Sequence, residues 1–368
     1  MNKHEKNKPV IINEINVRAV DRGRKDIASW RHALSAAESV YFPNRTRLYD
    51  LYEDILPDGH LSGVITKKIN AVLNKGIHFE RDGKHIAAMD ELICSLEFRE
   101  VVSTILETLL WGISGLEFLP GKKLCFNKIP RKHLKPELGI IAYEQTGSEG
   151  IPYGQLKNVW VMGDKNDLGL LLKCAPYCLY KRGALADWAQ FIELFGQPVR
   201  VIKYDSYDEQ TRAELRRILD ESGSSLSMMI PRQADFEIKD GKQANSDGGL
   251  QLSFVKALNE EISVTVLGNT ETTNSSKSAG YAQSKIHQEQ QYEITRADIA
   301  YTTAMLNSEA FLTVLRSYGY PAEGRFVFSK DMDIEYLHKR MAIDKELANL
   351  IPIPDSYWLE TYGIPVNR

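Results

Sequence analysis

The chain has 368 residues, 43% of them hydrophobic, and a formal net charge of −3 at pH 7. That length accommodates two or three domains, or one extended multi-part subunit with a substantial core. Near-neutral charge excludes a global basic surface that grips nucleic acid by neutralising phosphates.

The N-terminus, MNKHEKNKPVIINEIN, is polar and lacks the apolar core of a secretion signal, and nowhere do eighteen consecutive apolar residues offer a bilayer span. The chain is therefore expected in a reducing cytoplasm, or released by lysis. Residues 1–45 are mixed and polar and read as an arm that orders against neighbours. From Thr46 to Asn74 the pattern predicts two helices broken at Pro57, Asp58 and Gly59, because proline removes a donor and glycine frees the backbone. GIHFERDGKH reads as a strand and a turn. EFREVVSTILETLLWGISGLEFLP begins as an amphipathic helix, with Val102, Ile105, Leu106 and Leu109 at helical spacing, and ends extended. Residues 122–172 alternate short apolar runs with Pro and Gly and form a β-rich block.

APYCLYKRGALADWAQFIELFGQP then takes a helical period and stops at Gly196 and Pro198. A compact insert follows: VRVIKYD is a strand, DEQTRAELRRILDESG a helix with Asp208 as candidate N-cap and Gly223 as its stop, and LSMMIPRQADFEIKDG two more strands. Helix returns at GGLQLSFVKALNEEISVTVLG, where Leu250, Phe254, Leu258, Ile262 and Val266 recur every four residues as one continuous apolar stripe. Two helices thus bracket a small α/β insert. Past a polar loop, Tyr281 to Tyr318 contains neither Gly nor Pro; as one helix it would be roughly 55 Å long, the length of a strut in an assembly. Strict heptads are absent, which argues against a coiled coil. The C-terminal stretch reads as a helix, a Pro-rich break and a final short helix.

The loop itself, LGNTETTNSSKSAG, opens like a phosphate-binding loop but fails on spacing. That motif needs a glycine directly before the lysine, and Ser276 precedes Lys277 while Gly268 lies nine positions upstream. Other chemistry is equally unsupported. Cys174 and Cys178 share a helical face without a histidine or second cysteine pair to complete a zinc site, so with Cys94 and Cys125 they read as buried or idle thiols. The carboxylates of DMDIE, Asp331 to Glu335, read as an acidic turn before a helix. The eight histidines show no metal-ligand pairing, no G-x-S-x-G elbow is present, and His60 near Ser62 is weak evidence of a dyad. No catalytic residue, metal or cofactor is implied.

Several segments taken together resemble the portal proteins of Mu-like tailed phages. They are the block from Trp188 to Pro198, WAQFIELFGQP; Ile230 and Pro231 in MMIPRQADFEI; the element from Leu267 to Thr273, LGNTETT; and Ala282 and His287 ahead of a long helix. DGHLSGVITKKINAVL and LLWGISGLEFLP upstream also look like family segments, and the similarity covers roughly residues 45–365. The resemblance implies an α+β portal fold with an α/β wing, a two-helix stem, a small α/β clip, a long wing helix and a tunnel loop. On this chain those parts correspond to an arm at 1–45, the first part of the wing at 46–174, stem helices at 175–196 and 248–267, and the clip at 197–247. The tunnel loop is then 268–280, the long wing helix with a return strand 281–330, and a short crown-like region 331–368.

Stem packing would fall to Trp188, Phe191, Phe195, Leu250, Phe254, Leu258 and Ile262. Thr272, Thr273, Asn274, Ser275, Ser276 and Lys277 would face DNA. Family members form rings, usually dodecameric, at a capsid vertex, and pass double-stranded DNA driven by a separate terminase. The implied partners are therefore further copies of the chain, the major capsid protein, the terminase large subunit and a head-tail adaptor, with no membrane. The implied location is the virion, with assembly in the host cytoplasm. Two features depart from the pattern: a shorter C-terminus, which implies a reduced crown, and Glu271 between the threonines, where an apolar residue is common. The competing readings are a DNA-processing enzyme, a nuclease or packaging ATPase, which would need a Walker pair or carboxylate cluster, and a head-tail adaptor ring, which is usually much smaller.

Overall fold

A helix must find partners for its first N–H groups, and short polar side chains supply several of them here. The computed structural model describes residues 11–18, 25–195, 200–204, 209–221, 227–231, 249–269, 281–329, 334–349, 352–354 and 357. A single turn, α1 (Ile11–Glu14), precedes α2 (Ile27–Ala37), whose N-cap Asp26 accepts from the Ser29 N–H at 2.8 Å. Next come α3 (Thr46–Ile55) and α4 (Gly59–Leu73), parted where the sequence predicts, with the Asp58 carboxylate capping α4 through the N–H groups of His60 and Leu61. The hairpin of β1 (Ile77–Arg81) and β2 (Lys84–His85) turns through Asp82 and Gly83, both at positive φ. After α5 (Asp90–Ile93), Ser95 caps α6 (Leu96–Trp111), and Gly112 ends it at φ +80°. A Cβ at Gly112 would stand 2.3 Å from the Asp167 carbonyl oxygen, so the turn into β3 (Ile113–Phe118) requires glycine.

The predicted β-rich block holds β4 (Phe126–Lys128), β5 (Leu134–Lys135), β6 (Ile140–Ala142), β7 (Gly150–Pro152) and β8 (Val159–Gly163). They form two small antiparallel sheets, ordered β4-β3-β8 and β5-β6-β7. Then α7 (Leu171–Phe195) leads to β9 (Arg200–Tyr204), α8 (Glu209–Glu221) and β10 (Ser227–Pro231). β9 and β10 pair in parallel with α8 against both, so this part of the insert is a βαβ unit. The second strand expected after β10, the Asp208 cap and the Gly223 stop lie outside the described residues. The chain returns through α9 (Gly249–Leu267) and continues with α10 (Tyr281–Leu306), α11 (Glu309–Ser317), β11 (Arg325–Phe328) and α12 (Ile334–Leu347).

Two cores result. One gathers Leu48 and Tyr52 of α3, Leu61 and Val64 of α4, Cys174 and Cys178 of α7, and Ile262 and Val266 of α9. The other gathers Phe79, Phe98, Ile105 and Phe326 around Phe311, whose ring stacks on Trp160 at 5.0 Å between centroids. β11 pairs with β1, and its outer edge is closed by one side chain. The Asn307 amide donates to the Phe326 carbonyl at 3.0 Å and accepts from the Phe326 N–H at 2.7 Å, so it stands in for a further strand.

Two expectations change. The stretch from Tyr281 to Tyr318 is two helices, broken at Asn307 and Ser308; the Ser308 side chain accepts from the Phe311 N–H and starts α11, which neither Gly nor Pro announces. The first long helix begins at Leu171, ahead of the expected 175, and carries Pro176 inside it. Part of the N-terminal arm also packs on its own chain. Ile11 and Ile15 are buried in the first core, and the Ile11 N–H donates at 2.9 Å to the carboxylate of Glu117, itself buried in β3. A buried carboxylate needs such a donor, and this segment supplies it.

Candidate functional site

Proline within a helix leaves the carbonyl four residues earlier without its backbone donor. For Pro176 that carbonyl is Leu172 O, and it accepts instead from the Trp30 indole N–H of α2 at 3.3 Å. A helix of this length is thereby tied to α2 at its base. α7 also packs along α9: Lys181 of α7 meets Asn259, and the residues before it on α7, Cys174 and Cys178, share a core with those after Asn259 on α9, Ile262 and Val266, so the two helices run antiparallel.

Both helices are pinned to the turn between α3 and α4. Lys181 Nζ donates to the Asp58 carboxylate at 2.6 Å and to Asn259 Oδ1 at 2.9 Å, and is itself buried. The Arg182 guanidinium donates to both the side chain and the carbonyl of Asp54, each at 2.8 Å. From α4, His60 Nε2 lies 2.8 Å from the Ser263 hydroxyl of α9. Burial, reinforced by the Lys181 charge, holds the His60 pKa below its ordinary value. His60 therefore pairs with a serine 203 residues away and not with Ser62. Removing one partner of the buried Lys181–Asp58 ion pair costs about 3–5 kcal/mol.

The apolar stripe of α9 divides at this joint. Leu258, Ile262 and Val266 are buried, whereas Leu250 and Phe254 are 61% and 46% exposed in the single chain. On α7, Trp188 is half-buried, and Phe191, like its neighbour Ile192, is exposed. The Phe195 side chain lies outside the described residues. Among the described residues the pair is therefore buried at its base, while aromatic and aliphatic side chains farther along it are partly or largely exposed.

At its buried base, α9 stops at Gly268, φ +75°. A Cβ there would stand 2.2 Å from Ile294 Cδ1 of α10, so the polar loop leaves from a fixed and tightly packed point. Asn269 is buried beside it. The base of α10 is fastened by Lys68 of α4, whose Nζ donates at 2.7 Å to the buried Asp298. Thr272, Thr273, Asn274, Ser275, Ser276 and Lys277 lie outside the described residues.

Sequence reading missed these pins because the partners are 78 to 230 residues apart. Their one local signal is a charge inside an otherwise apolar period, as with Lys68 in VITKKINAVL. Among the described residues no three His, Cys, Asp or Glu side chains gather as metal ligands would, and no helix is long and apolar enough to cross a membrane. Burial pushes the Cys174 and Cys178 thiols up to about 12, which keeps them protonated. The arrangement holds two helices, a loop root and a small βαβ unit in fixed relation.

Residues 49–364 match the family model described as the portal protein of Mu bacteriophage. The portal protein of Escherichia phage Mu is 24% identical over 138 residues, 37% of this chain and 27% of that protein. Mu-like prophage FluMu protein gp29 of Haemophilus influenzae is 24% identical over 168 residues, 44% of this chain and 32% of that protein. The matched segments therefore span about a third or less of the length of these curated relatives. Among solved structures, a chain from the neck of an empty GTA particle computed with C6 symmetry superposes with a TM-score of 0.58 at 13% identity, covering 93% of this chain and all of that one. The fold is that of phage portal proteins. With the family model matching most of its length, the chain belongs to the portal protein family of Mu-like bacteriophages.

Proposed function

We propose that the chain is the subunit of a portal ring at a capsid vertex, through which double-stranded DNA enters during packaging and leaves at ejection. The observation that carries this reading is the antiparallel pair α7 and α9, braced at its base and bracketing a βαβ unit, with apolar side chains left exposed along the pair. A helix pair built that way is half of an interface, because large apolar surface on a single soluble chain calls for a partner. In this reading residues 175–196 and 248–267 form the stem, 197–247 the clip and 268–280 the tunnel loop. Trp188, Phe191, Phe195, Leu250 and Phe254 pack between neighbouring subunits, while Leu258 and Ile262 pack within one. The protein has no catalysis of its own, and it meets the major capsid protein, the terminase large subunit and a head-tail adaptor within the particle.

The loop composition suits passage of DNA. Each firm phosphate contact adds affinity and a barrier to sliding, and Asn, Thr and Ser with one Lys touch phosphates without gripping them. Native mass spectrometry with negative-stain class averages tests the proposal. Rings of about a dozen subunits around a central hole are expected for a closed homo-oligomer. A compact monomer carrying metal or nucleotide would overturn it.

A further inference from the structure

After α2 the chain makes a tight ridge, Glu38 to Asn44, before α3 begins. Its crest is Val40, Tyr41 and Phe42, which are 88%, 86% and 86% exposed, more than any other large hydrophobic among the described residues. Three adjacent apolar side chains in water are unfavourable for a free chain, and yet the ridge is built firmly. The Asn44 N–H donates to the Ala36 carbonyl at 2.8 Å, the Phe42 N–H to the Ser39 hydroxyl at 3.3 Å, and the Thr46 N–H to Asn44 Oδ1 at 2.9 Å. Arg45 anchors its far end, with a salt bridge to Glu137 at 2.9 Å and a bond to the Asp167 carbonyl. Grooves of about 520 and 570 Å³ flank the ridge, with Arg31 and Glu38 on one side and Glu137 and Lys165 on the other. An aromatic crest with a mixed-charge rim is the anatomy of an interface centre, preorganised so that little is lost on docking.

We propose that this ridge is a contact between subunits, with the Val40-Tyr41-Phe42 crest of one copy seated on the adjacent copy of the same chain. The proposal rests on the ring reading above and adds a second contact, on the wing side of the base of α7. Two arguments select a copy over another protein. A closed ring requires every subunit to present two different faces, so a projecting element on one face has a receiving surface on the next copy by symmetry. The area also fits: aromatic side chains bury about 150–250 Å² each, so the crest supplies roughly half of the ~800 Å² per partner that a stable interface needs. The ridge precedes residue 49, where the family match begins, so that match does not account for it.

The test uses the full-length chain with Tyr41 replaced by a photo-crosslinking phenylalanine analogue, alongside a Tyr41→Ser, Phe42→Ser double variant. Irradiation during expression and of purified rings is expected to give a chain-to-chain adduct mapping to a surface other than the ridge. The double variant should keep the circular dichroism and melting temperature of the parent monomer, because neither side chain packs on its own chain. Its ring-to-monomer ratio should fall at least about tenfold at equal concentration. If the parent forms rings and the double variant forms them equally well without a chain-to-chain adduct, the contact is refuted and the ring reading stands. An adduct with a different protein only, or an intrachain adduct only, refutes the assignment to a neighbouring copy. A parent that is a compact monomer carrying metal or nucleotide removes the ring reading itself.

Discussion

Leu258 and Phe254 sit one turn apart on α9 and do different jobs. Leu258 is buried by its own chain, so Leu258→Asp leaves an unpaired carboxylate out of water and should cost about 3 kcal/mol or more, enough to unfold much of a marginally stable subunit. Phe254→Asp should leave the single chain folded and act only on assembly, because that ring is exposed. Thermal unfolding with size analysis separates the two, and equal losses of fold would show that the stripe is packed along its whole length. Protonation offers a second handle. Burial holds the pKa of both His60 and His133 down, with the Lys181 charge adding at His60 and Lys135 at His133, while the Ala142 carbonyl bond to His133 Nδ1 acts the other way. The folded chain keeps both rings neutral where the unfolded chain protonates them, so below the unfolded value of 6.5 the unfolded state binds more protons. Stability is therefore fully present above that value and falls as pH drops through it. The melting temperature should decline from pH 7 to pH 5, and a His60→Gln, His133→Gln chain should show a shallower slope. An unchanged slope would assign the acid sensitivity to other groups.

At the scale of elements, the base of α7 depends on one substitution of partners. Pro176 withdraws a backbone donor, and Trp30 replaces it at Leu172 O. Trp30→Phe leaves that carbonyl unpaired and should cost about 1–2 kcal/mol. Pro176→Ala restores an N–H to the helix, so the same Trp30→Phe change should then cost measurably less. A double-mutant cycle read by denaturant unfolding reports the difference, and purely additive effects would mean that Trp30 acts through packing alone. The joint at Asp54, Asp58 and His60 belongs to the same scale. It makes the turn between α3 and α4 the mount for both long helices.

At the scale of the whole molecule, the loop from 268 to 280 leaves a root fixed by Gly268 against Ile294, and every subunit of a ring would present the same Lys277. Lys277→Glu should leave rings intact while lowering the amount of DNA retained in assembled particles, because the repeated charge reverses from attraction to repulsion of phosphates. Packaging assays that quantify encapsidated DNA check this, and unchanged retention would remove the loop from contact with DNA.

The sequence by itself determined the local story. Helix breaks at Pro57 and Gly59, the turn at Asp82 and Gly83, the β-rich block and the two helices around a small insert are set by backbone sterics and side-chain period, which act over a few residues. The order of motifs carried the family. The break at Asn307 and Ser308, Pro176 within α7, the burial of Leu258 with exposure of Phe254, and the pins at Asp58 and Asp298 were decided only by tertiary structure. Each depends on a partner that the chain brings back from far away: a tryptophan that satisfies a carbonyl, an amide that closes a strand edge, a lysine that neutralises a carboxylate. Periodicity records which face of an element is apolar; what covers that face is fixed by three-dimensional packing.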